Sequence, residues 1–217
     1  MLKALLIDHD GTLVDSEPCQ FQIWQQILTE YNVDYQFEDF IPRIGIPGEV
    51  TAGYLVEHYQ LPVTAEELAL IKENETRQFL LNQSFPLMPG IAELINWAKS
   101  KQLKIAIVSG AERETVLRSL VLHEIDHIID LVVAGGDVEN SKPAPDAYLA
   151  ALSNLGINAG HAVAIEDSKS GIQSAKAAGL TCLAIQHDFT APEKLTLADE
   201  TFSHHLHILR RLAQLAN

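Results

Sequence analysis

Cysteine, positive charge and long apolar runs are all scarce in this chain, and each shortage excludes something. Two cysteines stand among 217 residues, Cys19 and Cys182. They match no CxxC or Cys/His zinc spacing, which leaves two small apolar side chains in a reducing compartment. Lysine and arginine number 15 against 29 acidic residues, a formal net charge of −14. Nucleic acid is held through clustered Lys and Arg, so no nucleic-acid partner is expected. The N-terminal apolar run, residues 4–7, stops at Asp8. It is too short for a signal segment or a membrane span, so a cytoplasmic chain without a membrane partner is expected. No internal repeat or low-complexity tract is present.

Hydrophobic residues make up 47% of the chain and charged ones 20%, enough for a sizeable core with a smaller insert. "KALLI" (3–7) is a short, continuous apolar run and predicts a buried strand. Phe21, Trp24, Leu28 and Tyr31 then recur at helical spacing. "TAEELALIKENETRQFLLNQ" (64–83) opens with Thr64 and has Glu67 three residues on, a capping box. Residues 16–86 therefore read as helical.

From "PLMPGIAELINWAKSKQ" (86–102) the pattern changes. Pro89-Gly90 starts a helix whose apolar face carries Ile91, Leu94, Ile95 and Ala98. Strands are predicted at 104–108, 128–134, 162–165 and 181–185, with helices at about 112–122, 145–155 and 169–178 between them. Alternation of this kind gives an α/β fold, a Rossmann-like parallel sheet with helices on both faces. The expected organisation is an α/β core of residues 1–15 and 87–217 with a helical insert, 16–86, after the first strand. In "ETFSHHLHILRRLAQL" (200–215), Phe202, Leu206, Leu209 and Leu212 are expected on one face of a surface helix, with His204, His205 and His207 outside.

Ligands of a parallel α/β sheet bind at the carboxyl ends of the strands. Four strand ends here are polar: Asp8-His9-Asp10-Gly11-Thr12, Ser109-Gly110, "GGDVENSKPAPDAY" with Lys142, and Glu166-Asp167-Ser168. Each alone has an ordinary reading: an exposed turn, a helix cap, a surface lysine, acids at a helix start. A calcium loop is ruled out because Gly11 and Leu13 fall at the wrong positions. Taken together, Asp8, Asp10, Glu166 and Asp167 would repel one another in one crevice. A divalent cation resolves this, and Mg²⁺ takes a few protein oxygens plus a substrate phosphate. Ser109, Lys142 and helix-start N–H groups can then hold that phosphate.

"DHDGTLVDSE", "VSGA", "SKPAPDAY" and "IEDSKSGIQSAKAAG" resemble the four motifs of the haloacid dehalogenase-like hydrolases, in the phosphatase branch related to β-phosphoglucomutase. The resemblance spans the core, and the insert resembles that branch's helical cap. It implies Asp8 as nucleophile, forming an aspartyl-phosphate, and Asp10 as general acid, then base. It implies Mg²⁺ held by the Asp8 side chain, the Asp10 backbone carbonyl and Asp167, with Glu166 a ligand through water or behind it. Ser109, Gly110 and Lys142 would bind the phosphoryl group, with Gln20 and Arg43 of the cap on the substrate. A monomer is implied.

The mutase pattern is less well matched. Its cap arginine, in a segment like "KGVSRED", corresponds to Gly48 in "RIGIPGEV", and a cap histidine to Gln20. The expected activity is a phosphatase of small phosphorylated metabolites, sugar phosphates among them; a sugar phosphomutase is the alternative. A phospho-accepting receiver domain would carry its aspartate on a middle strand, and a non-catalytic phosphate binder would lack some catalytic positions. His9 sits where the family commonly has an apolar residue. Strand alternation turns it away from Asp8 and Asp10, as a packed, partnered histidine without a catalytic role.

Overall fold

The computed structural model describes residues 1–187 and 192–215. In chain order the elements are β1 (Ala4–Ile7), α1 (Glu17–Glu30), α2 (Phe37–Phe40), α3 (Gly48–Tyr59), α4 (Ala65–Asn82), α5 (Ile91–Ser100), β2 (Lys104–Glu112), α6 (Arg113–Leu122), β3 (Leu131–Gly135), α7 (Asp146–Leu155), β4 (Ala162–Glu166), α8 (Lys169–Ala177), β5 (Thr181–Ile185), β6 (Glu200–Phe202) and α9 (His205–Leu215). Two compact units result, one of Met1–Asp15 with Pro86–Asn217 and one of Ser16–Phe85. Among the described residues no helix is long and apolar enough to cross a membrane.

The first unit is built on a parallel sheet of order β3-β2-β1-β4-β5-β6. All four residues of β1 are buried because the strand is central, with β2 on one side and β4 on the other. Alternate side chains feed opposite faces. Leu6, Ala106 and Ala164 join Tyr148, Ala151, Ile172 and Ala175 of α7 and α8 in one apolar cluster. On α5, Ile91, Leu94, Ile95 and Ala98 are buried, as the spacing predicts, and this helix packs on β2 and α9.

The second unit gathers Ile23, Trp24, Ile27 and Leu28 of α1 with Tyr35, Phe40, Ala52, Leu55 and Leu68. The buried stripe of α1 thus centres on Trp24 and Leu28, while Phe21 and Tyr31 are half-buried at its margin. The Thr64–Glu67 box forms in both directions: Glu67 N–H donates to Thr64 Oγ1 at 3.2 Å and Thr64 N–H to Glu67 Oε2 at 2.8 Å.

Three expectations change. The strand expected at 128–134 begins only at Leu131, after a 3₁₀ turn at Asp126–Ile128. Asp130 supplies the cause: its carboxylate accepts from Ile105 N–H at 2.9 Å and Lys104 Nζ at 2.7 Å, taking a bond that a ladder would otherwise make. Phe202 belongs not to a helix but to the unexpected strand β6, paired with Ile185. The tail helix therefore starts at His205, and its buried face is His205, Ile208 and Leu212, with Leu206 exposed. His205 is inside the protein rather than outside, and the half-buried His204 caps the helix, its Nδ1 accepting from Leu206 N–H at 3.1 Å.

Candidate active site

β1 ends at Ile7, but its ladder runs one bond further, Asp8 N–H donating to Ile165 O at 3.0 Å. The chain then curls. His9 O accepts from Leu13 N–H at 2.9 Å and Val14 N–H at 3.0 Å, and Gly11 N–H donates to Val14 O at 2.8 Å. Gly11 has φ +72°, and a Cβ there would lie 2.1 Å from Asp167 Oδ2, so only glycine fits both the turn and the close approach. Thr12, fully buried, donates its hydroxyl to Asp167 Oδ1 at 3.4 Å. The alternation expected through Asp10 stops with the strand. Consequently His9 is not turned away from Asp10: its Nδ1 lies 3.2 Å from Asp10 Oδ2. It is packed and partnered, but by the second aspartate.

Register explains the cluster. Ile7 pairs with both Ile107 and Ile165, so Asp8 stands level with Val108 and Glu166. Lys142 joins all three, its Nζ donating to Asp8 Oδ1 at 2.5 Å, Glu166 Oε1 at 2.6 Å and Val108 O at 2.9 Å. Three ammonium protons meet three acceptors. Burial alone would lower the lysine's pKa, but Asp8 and Glu166 outweigh it and raise it. For Asp8, burial and then Glu166 push the carboxyl well above the usual range, against the pull of Lys142. Burial also raises Asp167.

Carboxylate oxygens of Asp8, Glu166 and Asp167 lie within 4.8 Å of one another. Three buried acids against one ammonium leave uncompensated negative charge, and the carboxylate oxygens of Asp8 and Asp167 are donors that suit a hard divalent cation.

Glu166 is held from every side. Besides Lys142, Oε1 accepts from Tyr148 OH at 2.7 Å, while Oε2 takes Ser168 Oγ–H at 3.2 Å and Asp167 N–H at 3.3 Å. Its lone pairs are occupied, so it serves the cluster by fixing Lys142 and the Asp167 backbone. The first turn of α8 passes so close that a Cβ on Gly171 would lie 1.9 Å from Glu166 Oε1. Gly171→Ala is therefore expected to cost about 2 kcal/mol or more through overpacking and to lower turnover by displacing Glu166 and Lys142. Urea unfolding midpoints compared with the parent measure the first effect.

Ser109 and Gly110 sit in a bulge. Val108 and Glu112 of β2 pair with Val133 and Gly135 of β3, so three residues of β2 stand between the pairs against one of β3. The extra residues carry Ser109, buried, its Oγ accepting from Ala111 N–H at 2.9 Å, and Gly110, exposed. Gln20 and Arg43 belong to the helical unit. Gln20 lies on α1, and the Arg43 guanidinium stacks over the Tyr54 ring, 4.1 Å from its centroid. Two site residues have no place in the sequence reading. Tyr148 is the last residue of "SKPAPDAY". His187, just past β5, has Nε2 3.5 Å from Asp167 Oδ2, a charge contact. Its signal was a fifth polar strand end, Gln186-His187.

A family model described as haloacid dehalogenase-like hydrolase matches residues 5–185. The chain is 30% identical over 180 residues to a phosphorylated carbohydrates phosphatase of Thermotoga maritima, covering 82% of each chain. It is 31% identical over 184 residues to the fructose-1-phosphate phosphatase YqaB of Escherichia coli, covering 84% of this chain and 96% of that one. Among solved structures, CbbY from Rhodobacter sphaeroides in complex with phosphate superposes with a TM-score of 0.82 at 27% identity, over 94% of this chain and 95% of the other.

Proposed function

The chain belongs to the haloacid dehalogenase-like hydrolases, and from that membership we propose a Mg²⁺-dependent phosphatase of small phosphorylated metabolites, sugar phosphates foremost. The observation that carries the proposal is the buried set Asp8, Glu166 and Asp167 tied to Lys142 where β1 and β4 end. Phosphorylated carbohydrates in the name of one relative and fructose 1-phosphate in that of another support the substrate class.

In this reading an Asp8 oxygen attacks phosphorus as the bond to the substrate oxygen breaks, giving an aspartyl-phosphate. Asp10, the more open of the two acids, protonates the departing alkoxide. It then takes a proton from the water that attacks the phosphorylated aspartate. Lys142 and Ser109 bind the phosphoryl oxygens, whose charge grows as the group transfers. Asp8, Asp167 and the Asp10 carbonyl would hold the metal, which when bound neutralises charge on the carboxylates and the phosphoryl oxygens. Gln20 and Arg43 are assigned to the substrate's remaining parts. We also place the protein in the cytoplasm as a monomer.

Hydrolysis of p-nitrophenyl phosphate and of a panel of sugar phosphates tests this. Phosphate release is expected with Mg²⁺, and its loss on chelation with recovery on re-addition. Conversion of a hexose 1-phosphate to its 6-phosphate with little free phosphate would instead identify a mutase. Turnover undiminished by chelation would remove the metal from the proposal.

A further inference from the structure

His9 is left over from the reaction just described, yet its placement is specific. The ring is fully buried, whereas the Asp10 side chain it touches is a third exposed. Nδ1 lies 3.2 Å from Asp10 Oδ2, and Nε2 has no hydrogen-bond partner among the described residues. The backbone that carries the ring is itself fixed, its carbonyl accepting from both Leu13 and Val14. A short, partly open acid is thus held by an immobile group behind it. A neutral imidazole has one N–H and one bare nitrogen. With Nε2 meeting no partner, the carboxylate at Nδ1 selects the tautomer with its hydrogen on Nδ1.

We infer that His9 is a positioning residue for Asp10: its Nδ1–H donates to Oδ2 and fixes the rotation of the carboxyl group. This rests on the role proposed for Asp10. The hydrogen bond assigns the two oxygens different work. Oδ2 stays an acceptor, so the transferable proton sits on Oδ1. That proton passes to the alkoxide as the P–O bond breaks, and a water proton later returns to Oδ1. His9 keeps its own proton throughout. Without His9 the donor to Oδ2 is lost, the proton is no longer confined to Oδ1, and fewer substrate encounters find the acid aligned.

The test uses two substrates with opposite needs. An alkyl phosphate that the parent accepts must have its alkoxide protonated, whereas nitrophenolate leaves p-nitrophenyl phosphate without a proton. kcat/KM reports only the steps through phosphoryl transfer, and the ratio of the two values is independent of the folded fraction. His9→Leu is expected to lower kcat/KM for the alkyl ester by roughly 10–100-fold, and that for the nitrophenyl ester by no more than about threefold. His9→Asn, whose amide offers a donor in place of Nδ1, is expected to restore the parent's ratio. Equal losses on both esters, or none on either, would overturn the inference. Failure of the asparagine to restore the ratio would assign the effect to ring volume and overturn it as well. A parent that hydrolyses neither ester shows instead that the phosphatase reading itself is wrong.

Discussion

Asp8→Asn is expected to leave a folded chain that releases no measurable phosphate, a loss of more than about 10⁴-fold. An amide oxygen matches the carboxylate in shape and lacks the charge needed to attack phosphorus. The scaffold survives because Lys142 keeps its bonds to Glu166 and Val108. Stability should move the other way. Burial and Glu166 hold the Asp8 pKa well above its ordinary value, so the ionised form penalises the folded state. For such a raised acid, the penalty is absent below the unfolded pKa and is complete once the pH has risen past the folded one. Where Asp8 is ionised and no divalent cation is present, the neutral amide escapes that penalty. The variant should then unfold at a denaturant concentration equal to or above the parent's. Loss of activity with gain of stability is the signature of a catalytic group; loss of both would mark Asp8 as structural.

Lys142→Met should do the opposite to stability. The lysine is the ammonium that joins Asp8 to Glu166, and both its ion pairs are about nine-tenths buried. Removing one partner of a buried pair leaves uncompensated charge and costs roughly 3–5 kcal/mol. Here two partners lose their counter-ion at once, and Asp167 lies within reach of both. Turnover should fall by about 10²–10³-fold, the scale of removing one donor from a developing oxyanion. Because binding to the folded state stabilises by mass action, added Mg²⁺ should raise the unfolding midpoint of this variant more than that of the parent. Unfolding curves with and without Mg²⁺ measure both terms. A midpoint unchanged by the substitution would remove Lys142 from the centre of the cluster.

Much of this was legible in sequence because short parallel strands announce themselves. Residues 3–7, 104–108, 162–165 and 181–185 are nearly uninterrupted apolar runs, and their polar ends fall where ligands bind such sheets. The Thr64–Glu67 box and the buried face of α5 are likewise local patterns. What escaped was set by partners distant in sequence. Asp130 delays β3 by bonding Lys104 and Ile105. The strand β6 has only three residues and exists through β5, which shifts the buried face of α9 onto His205. Tyr148 and His187 acquire meaning only beside Glu166 and Asp167. His9 is packed and partnered as the sequence implies, but its orientation toward Asp10 is not legible for a local reason: period-two alternation holds only while the backbone is extended, and the ladder ends with Asp8.

The claim that phosphoryl transfer passes through Asp8 is tested most directly by Asp10→Asn with p-nitrophenyl phosphate and Mg²⁺. Nitrophenolate needs no acid to leave, so the first step should proceed, while the missing base stalls hydrolysis of the acyl phosphate. One equivalent of nitrophenolate per active site should appear in a burst. The acid-quenched protein should then carry one phosphoryl group, mapped by borohydride reduction and peptide mass to position 8. A burst without covalent phosphate, or a phosphoryl group on any other residue, would contradict it.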